Sequence, residues 1–598
     1  MTGFSNLYRR TVVLLLLFAV PIVIGLSVSD YSKLLICYII IWSILAISWN
    51  VFCGYTGLIS FGHAIYWGIG AYSLGIGVST FGLPPPVAIV AGIILAVVAS
   101  LIIGLPTLRL TGAYFSLAML AYPLVTMSVV TWLGYREIFL PFGESAWWNL
   151  RFSQPIHYIV LSSAVLAVAF LISMRIHSSR LGHCLRSIRE SESAAASSGI
   201  DVWRCKLIAN TLSAAIAAVA GSLYGLVLGV MTTENSFGFM VSAQAVVLPL
   251  FGGVGSPWGP IIGAGVLVPS AEWLNATFGD RLPGISGLVY GLALIVIVLA
   301  APEGIYWKVR DLFHARRGPA SDAGVETFEE SAAEMTIFDR PGEETFHHSA
   351  DSEKADATVL EVFDLAHSFG GVKALSAVSL KVKKGTIHCI VGPNGAGKTT
   401  LFNILSGFIH PSAGRALVHG IPMIGMKPHE VARAGVARTF QVPRIFPRMS
   451  VLENVQIGAY AGSLNDAESL HTSRAALATV GLLQRSQEAA GALSTYEVRL
   501  LEIARGLAGR PRLFLMDEVF AGIGKAEAVK IEALLLSLRD NGITIVIIEH
   551  TMDSMLRISD AFTVIDHGKT IISGKPREVV KNPSVIKAYL GEKWSENA

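Results

Sequence analysis

Charge is what the first half of this 598-residue chain lacks. Only 22 of its 89 Asp, Glu, Lys and Arg residues lie in positions 1–302, and none lies between Lys33 and Arg109. One bilayer crossing takes about 20 apolar residues, so that stretch is long enough for about three and excludes a soluble fold for the first half. Cysteine is also scarce. Cys37, Cys53, Cys184, Cys205 and Cys389 lack ligand spacing, which excludes a disulfide scaffold and a cysteine zinc site. A net charge of +3 is too small to mark a nucleic-acid surface, so no nucleic-acid partner is expected. No internal repeat is visible.

What is there is a series of apolar runs: 11–26, 34–53, 58–79, 86–105, 111–133 and 158–174, then 207–230, 241–269 and 285–301. Arg9 and Arg10 precede the first, while Arg175, Arg180, Arg186 and Arg189 follow the sixth; the bias of Lys and Arg toward the cytoplasm puts both groups on one side. The run 241–269 is interrupted by glycines at 252, 253 and 255 and Pro257, and is expected to split into two short pieces, with a plain extramembrane turn as the alternative. About 8–10 crossings follow for a membrane domain at 1–310. The twin arginine stretch at the N-terminus reads as a retained anchor rather than a cleaved leader, since no small-residue cleavage site follows it. Residues 311–357 are polar and mostly acidic, with Glu326, Glu329, Glu330, Glu343 and Glu344, and read as a disordered linker. Residues 358–598 regain the charge and periodicity of a soluble α/β domain.

Residues 392–399 read GPNGAGKT, after the short apolar run 386–391. Strand, glycine loop and helix is the context a phosphate-binding loop requires. Gly392, Pro393, Asn394, Gly395, Ala396 and Gly397 would curl so that backbone N–H groups point inward, with the helix from Lys398, Thr399 and Thr400 adding its positive end. Lys398 would reach the β and γ phosphates of ATP. Thr399 and Asp517, which ends the apolar run 513–516, would hold Mg2+.

With this loop, Asp517-Glu518 and Glu549-His550 in one domain, residues 358–598 resemble the ATP-binding subunits of ABC transporters. The strings ARTFQ (437–441), LEIAR (501–505) and the tail 582–591 are similar to those of branched-chain amino acid importers. The resemblance implies that Phe369 stacks on adenine, that Gln441 joins the metal site to the membrane domain, that Glu518 polarises the attacking water and that His550 contacts the γ phosphate. The family's signature loop departs from its usual LSGGQ or LSYGQ form: here it is Leu493, Ser494, Thr495, Tyr496 and Glu497, without glycine. The Asp usual near 521–524 is missing too. Tyr496 and Glu497 should weaken close approach to a partner's nucleotide.

The membrane half resembles the permeases of the same importers through 50–63, 69–72, 108–115 and 250–260. His63 is an ionisable residue among them, a pathway candidate or an interhelical hydrogen bond. The loop with Arg189, Glu190, Glu192, Ala194, Ala195 and Gly199 looks like the coupling helix that such permeases dock into the ATPase. The implied fold is an all-α polytopic membrane domain of the type I ABC importer kind, followed by an α/β P-loop ABC ATPase. The implied activity is ATP-driven import of branched-chain amino acids across the bacterial cytoplasmic membrane, with the ATPase on the cytoplasmic side. Urea, short amides and aromatic acids are alternative substrates, and a tethered regulatory ATPase is the alternative class. Implied partners are membrane lipid, a second permease, a second ATPase with an intact signature and an extracytoplasmic binding protein.

Overall fold

The apolar runs of the first half fold as helices, which satisfy every backbone N–H and C=O without water. The computed structural model describes residues 2–141, 149–281, 284–301, 303–315, 357–462 and 465–590. These divide into two compact units: 2–189 with 203–315, and Glu190–Val202 with 357–590. The segment Glu190–Val202 therefore groups with the C-terminal unit, although sequence drew the first boundary at 310. The linker expected from 311 starts later, since the helix Ile305–Ala315 runs through its first residues; over 316–356 it lies outside the described residues, as does Gly591 of the tail.

Among the described residues six helices are long and apolar enough to cross a membrane: Asp30–Gly54, Pro85–Thr107, Ala113–Trp132, Pro155–His177, Val202–Leu228 and Thr233–Gly252. Shorter apolar helices cover Leu15–Ser27 and Gly287–Ile297. The run expected at 58–79 is helical only from His63 to Ser79. The run at 241–269 is two helices, Phe239–Gly252 and Gly259–Phe278, broken at the glycines. Close packing depends on small residues: a Cβ at Gly70 would lie 2.0 Å from the Ala218 carbonyl oxygen, and one at Gly221 2.0 Å from that of Trp67. Such contacts replace the hydrophobic drive that lipid removes. His63 is buried, and its Nε2 lies 2.8 Å from Ser213 Oγ, which donates to Ser48 O at 2.7 Å. A two-stranded ribbon pairs β1 (Glu137–Phe139) with β2 (Val230–Thr232).

The second unit holds two sheets. β3 (Thr358–Phe369), β4 (Val372–Lys383), β6 (Ala413–Val418) and β7 (Ile421–Pro422) form a four-stranded sheet in the order β4-β3-β6-β7. β5 (Ile387–Val391), β8 (Val436–Arg438), β9 (Leu513–Asp517), β10 (Thr544–Ile548), β11 (Ala561–Asp566) and β12 (Lys569–Gly574) form a six-stranded sheet in the order β12-β11-β5-β10-β9-β8. β5, β9 and β10 are buried at every position, as expected of parallel strands covered on both faces. Their side chains alternate between two cores. Cys389, Phe514, Met516, Ile545 and Ile547 enter one; Ile390, Leu513, Leu515, Val546 and Ile548 enter the other.

Candidate functional site

Pairing within the six-stranded sheet sets Ile548 opposite Ile390 and Asp517, and Leu515 opposite Arg438. The loops that follow β5, β8, β9 and β10 therefore leave one edge of the sheet together, where α/β folds carry their ligands.

The first of these loops is the glycine loop. Gly395 has φ +80° and Gly397 φ +102°, conformations open to glycine, and a Cβ on Gly392 would sit 2.0 Å from the Ile565 carbonyl oxygen. The helix Lys398–Leu405 starts at Gly397. Lys398 is buried and its Nζ donates to the carbonyls of Gly392 at 2.6 Å and Pro393 at 3.0 Å. Burial lowers its pKa, opposed by the charges of Glu518 and Asp517. Asn394, Gly395 and Thr399 are exposed at the mouth, while Ala396 is buried and Thr400 half-buried.

Asp517, at the end of β9, is buried, and burial pushes its carboxyl up to about 6 against the pull of Arg438. Its Oδ2 has no hydrogen-bond partner among the described residues and lies 3.8 Å from Arg438 Nη2. A buried carboxylate oxygen left unbonded, with Thr399 on the adjoining helix, is a donor set suited to Mg2+. Gln441, the third residue expected there, is exposed just beyond β8. Glu518 follows with φ +49°, a strained backbone for a non-glycine residue. Its Oε1 lies 3.1 Å from His550 Nε2. The two groups expected to act on the terminal phosphate thus touch.

Sequence reasoning gave no role to several residues that hold these loops. Arg438, buried under the rings of Phe402, Phe408 and Phe440, donates to Asn403 Oδ1 at 2.8 Å and Ser406 Oγ at 2.6 Å. Burial lowers its pKa to about 10. Glu549 accepts from the N–H groups of Phe520 at 2.9 Å and His550 at 3.0 Å, so it fixes the loops after β9 and β10 together. The available signal was a charge at the end of an otherwise apolar strand.

Phe369 ends β3 with half its surface exposed, edge-on to the His367 ring at 4.5 Å. Ser494 is the N-cap of the helix Thr495–Ala508, with Glu497 closing a capping box. The Glu497 carboxylate accepts from Ser494 N and Oγ, each at 2.8 Å, and pairs with Arg485. Arg485 and the Ser494 backbone lower its pKa to about 2. A carboxylate thus already occupies this helix N-terminus, and Leu493 and Tyr496 pack on the neighbouring core.

The segment Glu190–Val202 contains the short helix Glu192–Ser197, capped by Ser191, with Ala194 and Ala195 buried. Gly199 has φ +87°, and a Cβ there would meet Ala461 Cβ at 2.5 Å. Arg433 Nε donates to Gly199 O at 3.1 Å, Asp201 lies 3.5 Å from His429 Nε2, Glu190 lies 3.8 Å from Arg448 Nε, and Arg444 bonds Ser193 Oγ. Arg189, expected in the same segment, falls in the first unit, where its Nη1 donates to Gly54 O at 3.0 Å. Beside it Asn50 accepts from Gly255 N at 2.8 Å and donates to Ser256 O at 3.0 Å, so one amide spans the helix break.

Comparison with known proteins agrees in both units. Residues 33–298 match the family described as the permease component of the branched-chain amino acid transport system. Residues 375–521 match the ABC transporter family, and 569–594 the branched-chain amino acid ATP-binding cassette transporter family. The high-affinity branched-chain amino acid transport ATP-binding protein BraF of Pseudomonas aeruginosa is 37% identical over 250 residues, which cover 39% of this chain and 98% of that protein. LivG of Escherichia coli, with the same description, is 37% identical over 250 residues, again 39% of this chain and 98% of that protein. A solved nucleotide-free ATP-binding cassette of an ABC transporter is 32% identical and covers 40% of this chain and 100% of that one, with a TM-score of 0.37.

Proposed function

The chain belongs to the branched-chain amino acid ABC transporter family and carries its permease and ATP-binding components in one polypeptide, and from that premise we propose that it drives import of branched-chain amino acids across the bacterial cytoplasmic membrane by hydrolysing ATP. The observation that carries the reading is the docking of Glu190–Val202 on the ATPase unit, because both ends of that segment continue into helices of the permease unit.

In this reading the loop 392–397 and Lys398 grip the phosphates, and Phe369 stacks on the base. Thr399, Asp517 and Gln441 would hold Mg2+, which would supply positive charge against that of the phosphates. Glu518 would orient the attacking water, and His550, 3.1 Å from it, would contact the γ phosphate. Closure of two ATPase domains would shift the coupling segments and so change which side of the membrane the permease cavity faces. The partners are a second permease, a second ATPase and an extracytoplasmic binding protein. The capped, glycine-free signature of this chain supports pairing with an ATPase whose own signature is intact.

Substrate identity is tested by a binding screen of the cognate extracytoplasmic protein against leucine, isoleucine, valine, urea and short amides. Selective binding of the aliphatic amino acids is expected; selective binding of urea or amides would replace the substrate assignment and leave the machine intact.

A further inference from the structure

Beyond Thr439, the backbone that follows β8 is held by one helix at Phe440, Gln441 and Arg444. Three residues one helical turn apart on Thr495–Ala508, the helix that the signature serine caps, are Arg499, Glu502 and Arg505, each no more than 3% exposed. Glu502 Oε1 accepts from Phe440 N at 3.1 Å and from Arg444 N at 3.3 Å. Arg499 donates to the carbonyls of Phe440 at 2.9 Å and Gln441 at 2.8 Å, and Arg505 donates to that of Arg444 at 2.6 Å. The two guanidinium groups lie 3.6 and 3.7 Å from the Glu502 carboxylate. The charge of Glu502 is thus matched, and five charge-assisted bonds end on the backbone of residues 440–444. The same Arg444 reaches Ser193 in the coupling segment.

Breaking such a buried set costs far more than breaking a surface pair, because the charges left behind have no water. The loop 440–444 and the helix Thr495–Ala508 are therefore fastened to each other. We infer that Arg499, Glu502 and Arg505 are positioning residues that carry displacement of the coupling segment, through Arg444 and the 440–444 backbone, to the signature helix, so that permease movement is delivered to the nucleotide of the partner ATPase. This rests on the transporter reading above and adds a route to it: the segment steers the site this chain completes in its partner, while in its own site Asp517 and Glu518 are carried by the end of β9 and Lys398 by the helix after the glycine loop.

The test uses the full-length chain assembled with its partner subunits in lipid vesicles. Arg499→Lys keeps the charge beside Glu502 but cannot serve two carbonyls at once; Glu502→Gln removes the charge the two arginines share. Two quantities are read in each: hydrogen exchange of the Phe440 and Arg444 amides, and ATP hydrolysis with and without substrate-loaded binding protein. The expected result is exchange about tenfold faster or more at those two amides, unchanged affinity for a fluorescent ATP analogue without Mg2+, and a stimulated increment that falls by a much larger factor than the basal rate. Full stimulation with the two amides deprotected would overturn the inference and leave the transporter reading standing. Equal loss of basal and stimulated rates together with weaker nucleotide binding would also overturn it, since that is the mark of a residue that only stabilises the fold. Absence of stimulation in the unmodified assembly would instead count against the transporter reading itself.

Discussion

Arg438 and Asp517 face each other at 3.8 Å inside the ATPase unit, nearly sealed from solvent, with the guanidinium also tied to Asn403 and Ser406 of the phosphate-loop helix. One cation thus links the strand before Gln441, the helix after the glycine loop and the carboxylate suited to magnesium. Removing it as Arg438→Met leaves Asp517 buried next to Glu518 and Glu549 with Lys398 alone to offset its charge. A loss of about 3 kcal/mol in folding stability is expected. Denaturant unfolding of the full chain and Mg2+ titration of nucleotide binding should both shift; a variant unchanged in both would show the pair to be incidental.

The raised pKa of Asp517 sets a pH dependence of definite sign. Its folded value of about 6 lies above the ordinary 3.8, so the folded state holds a proton that the unfolded chain has lost between those values. This group's contribution to stability is present below pH 4 and lost as pH rises through about 6. Mg2+ requires the carboxylate and runs the other way: magnesium-dependent nucleotide binding should weaken as pH falls through about 6. Binding curves at pH 5.5, 6.5 and 7.5 check this, and a flat profile contradicts it.

At Gly199 the backbone is left-handed and Ala461 lies where a side chain would go. Gly199→Ala should cost about 1–2 kcal/mol in local strain alone and push the Glu192–Ser197 helix off its seat. Nucleotide affinity should hold while substrate-stimulated hydrolysis falls severalfold. Weakened nucleotide binding with coupling intact would be the contrary outcome.

The phosphate loop was legible in sequence because its chemistry is local: eight consecutive residues carry the turn, the donors and the lysine. The helix break at 253–258 was legible for the same reason. Glu502 was not, since its worth comes from Phe440 and Arg444, some sixty positions earlier, and alone it reads as one more helix carboxylate. Asn50 is similar, its partners Gly255 and Ser256 being brought near only by helix packing. Helix ends were the weakest part of the reading. The run taken to stop at Pro269 continues to Phe278, the proline being accommodated within Gly259–Phe278. In the ATPase unit the apolar runs 386–391 and 513–516 mark two strands in the sequence, whereas ten strands are present among the described residues.

Glu497, held by Ser494 and Arg485, puts a negative charge at the N-terminus of the signature helix. Turnover at the two nucleotide sites of the assembly should therefore be unequal, with the site completed by this helix the slower. Vanadate trapping followed by site-specific labelling measures each site. Equal trapping would contradict a weakened signature.

The central claim is that ATP turnover at Glu518 powers solute entry through the permease half of the same chain. Its most direct measurement is uptake of radiolabelled leucine into vesicles carrying the full chain, its partner subunits and binding protein, with ATP on the ATPase side, for the unmodified chain and Glu518→Gln. The account predicts ATP-dependent accumulation in the first and none in the second, with ATP retained unhydrolysed at the altered site. Uptake at the normal rate by Glu518→Gln would contradict it.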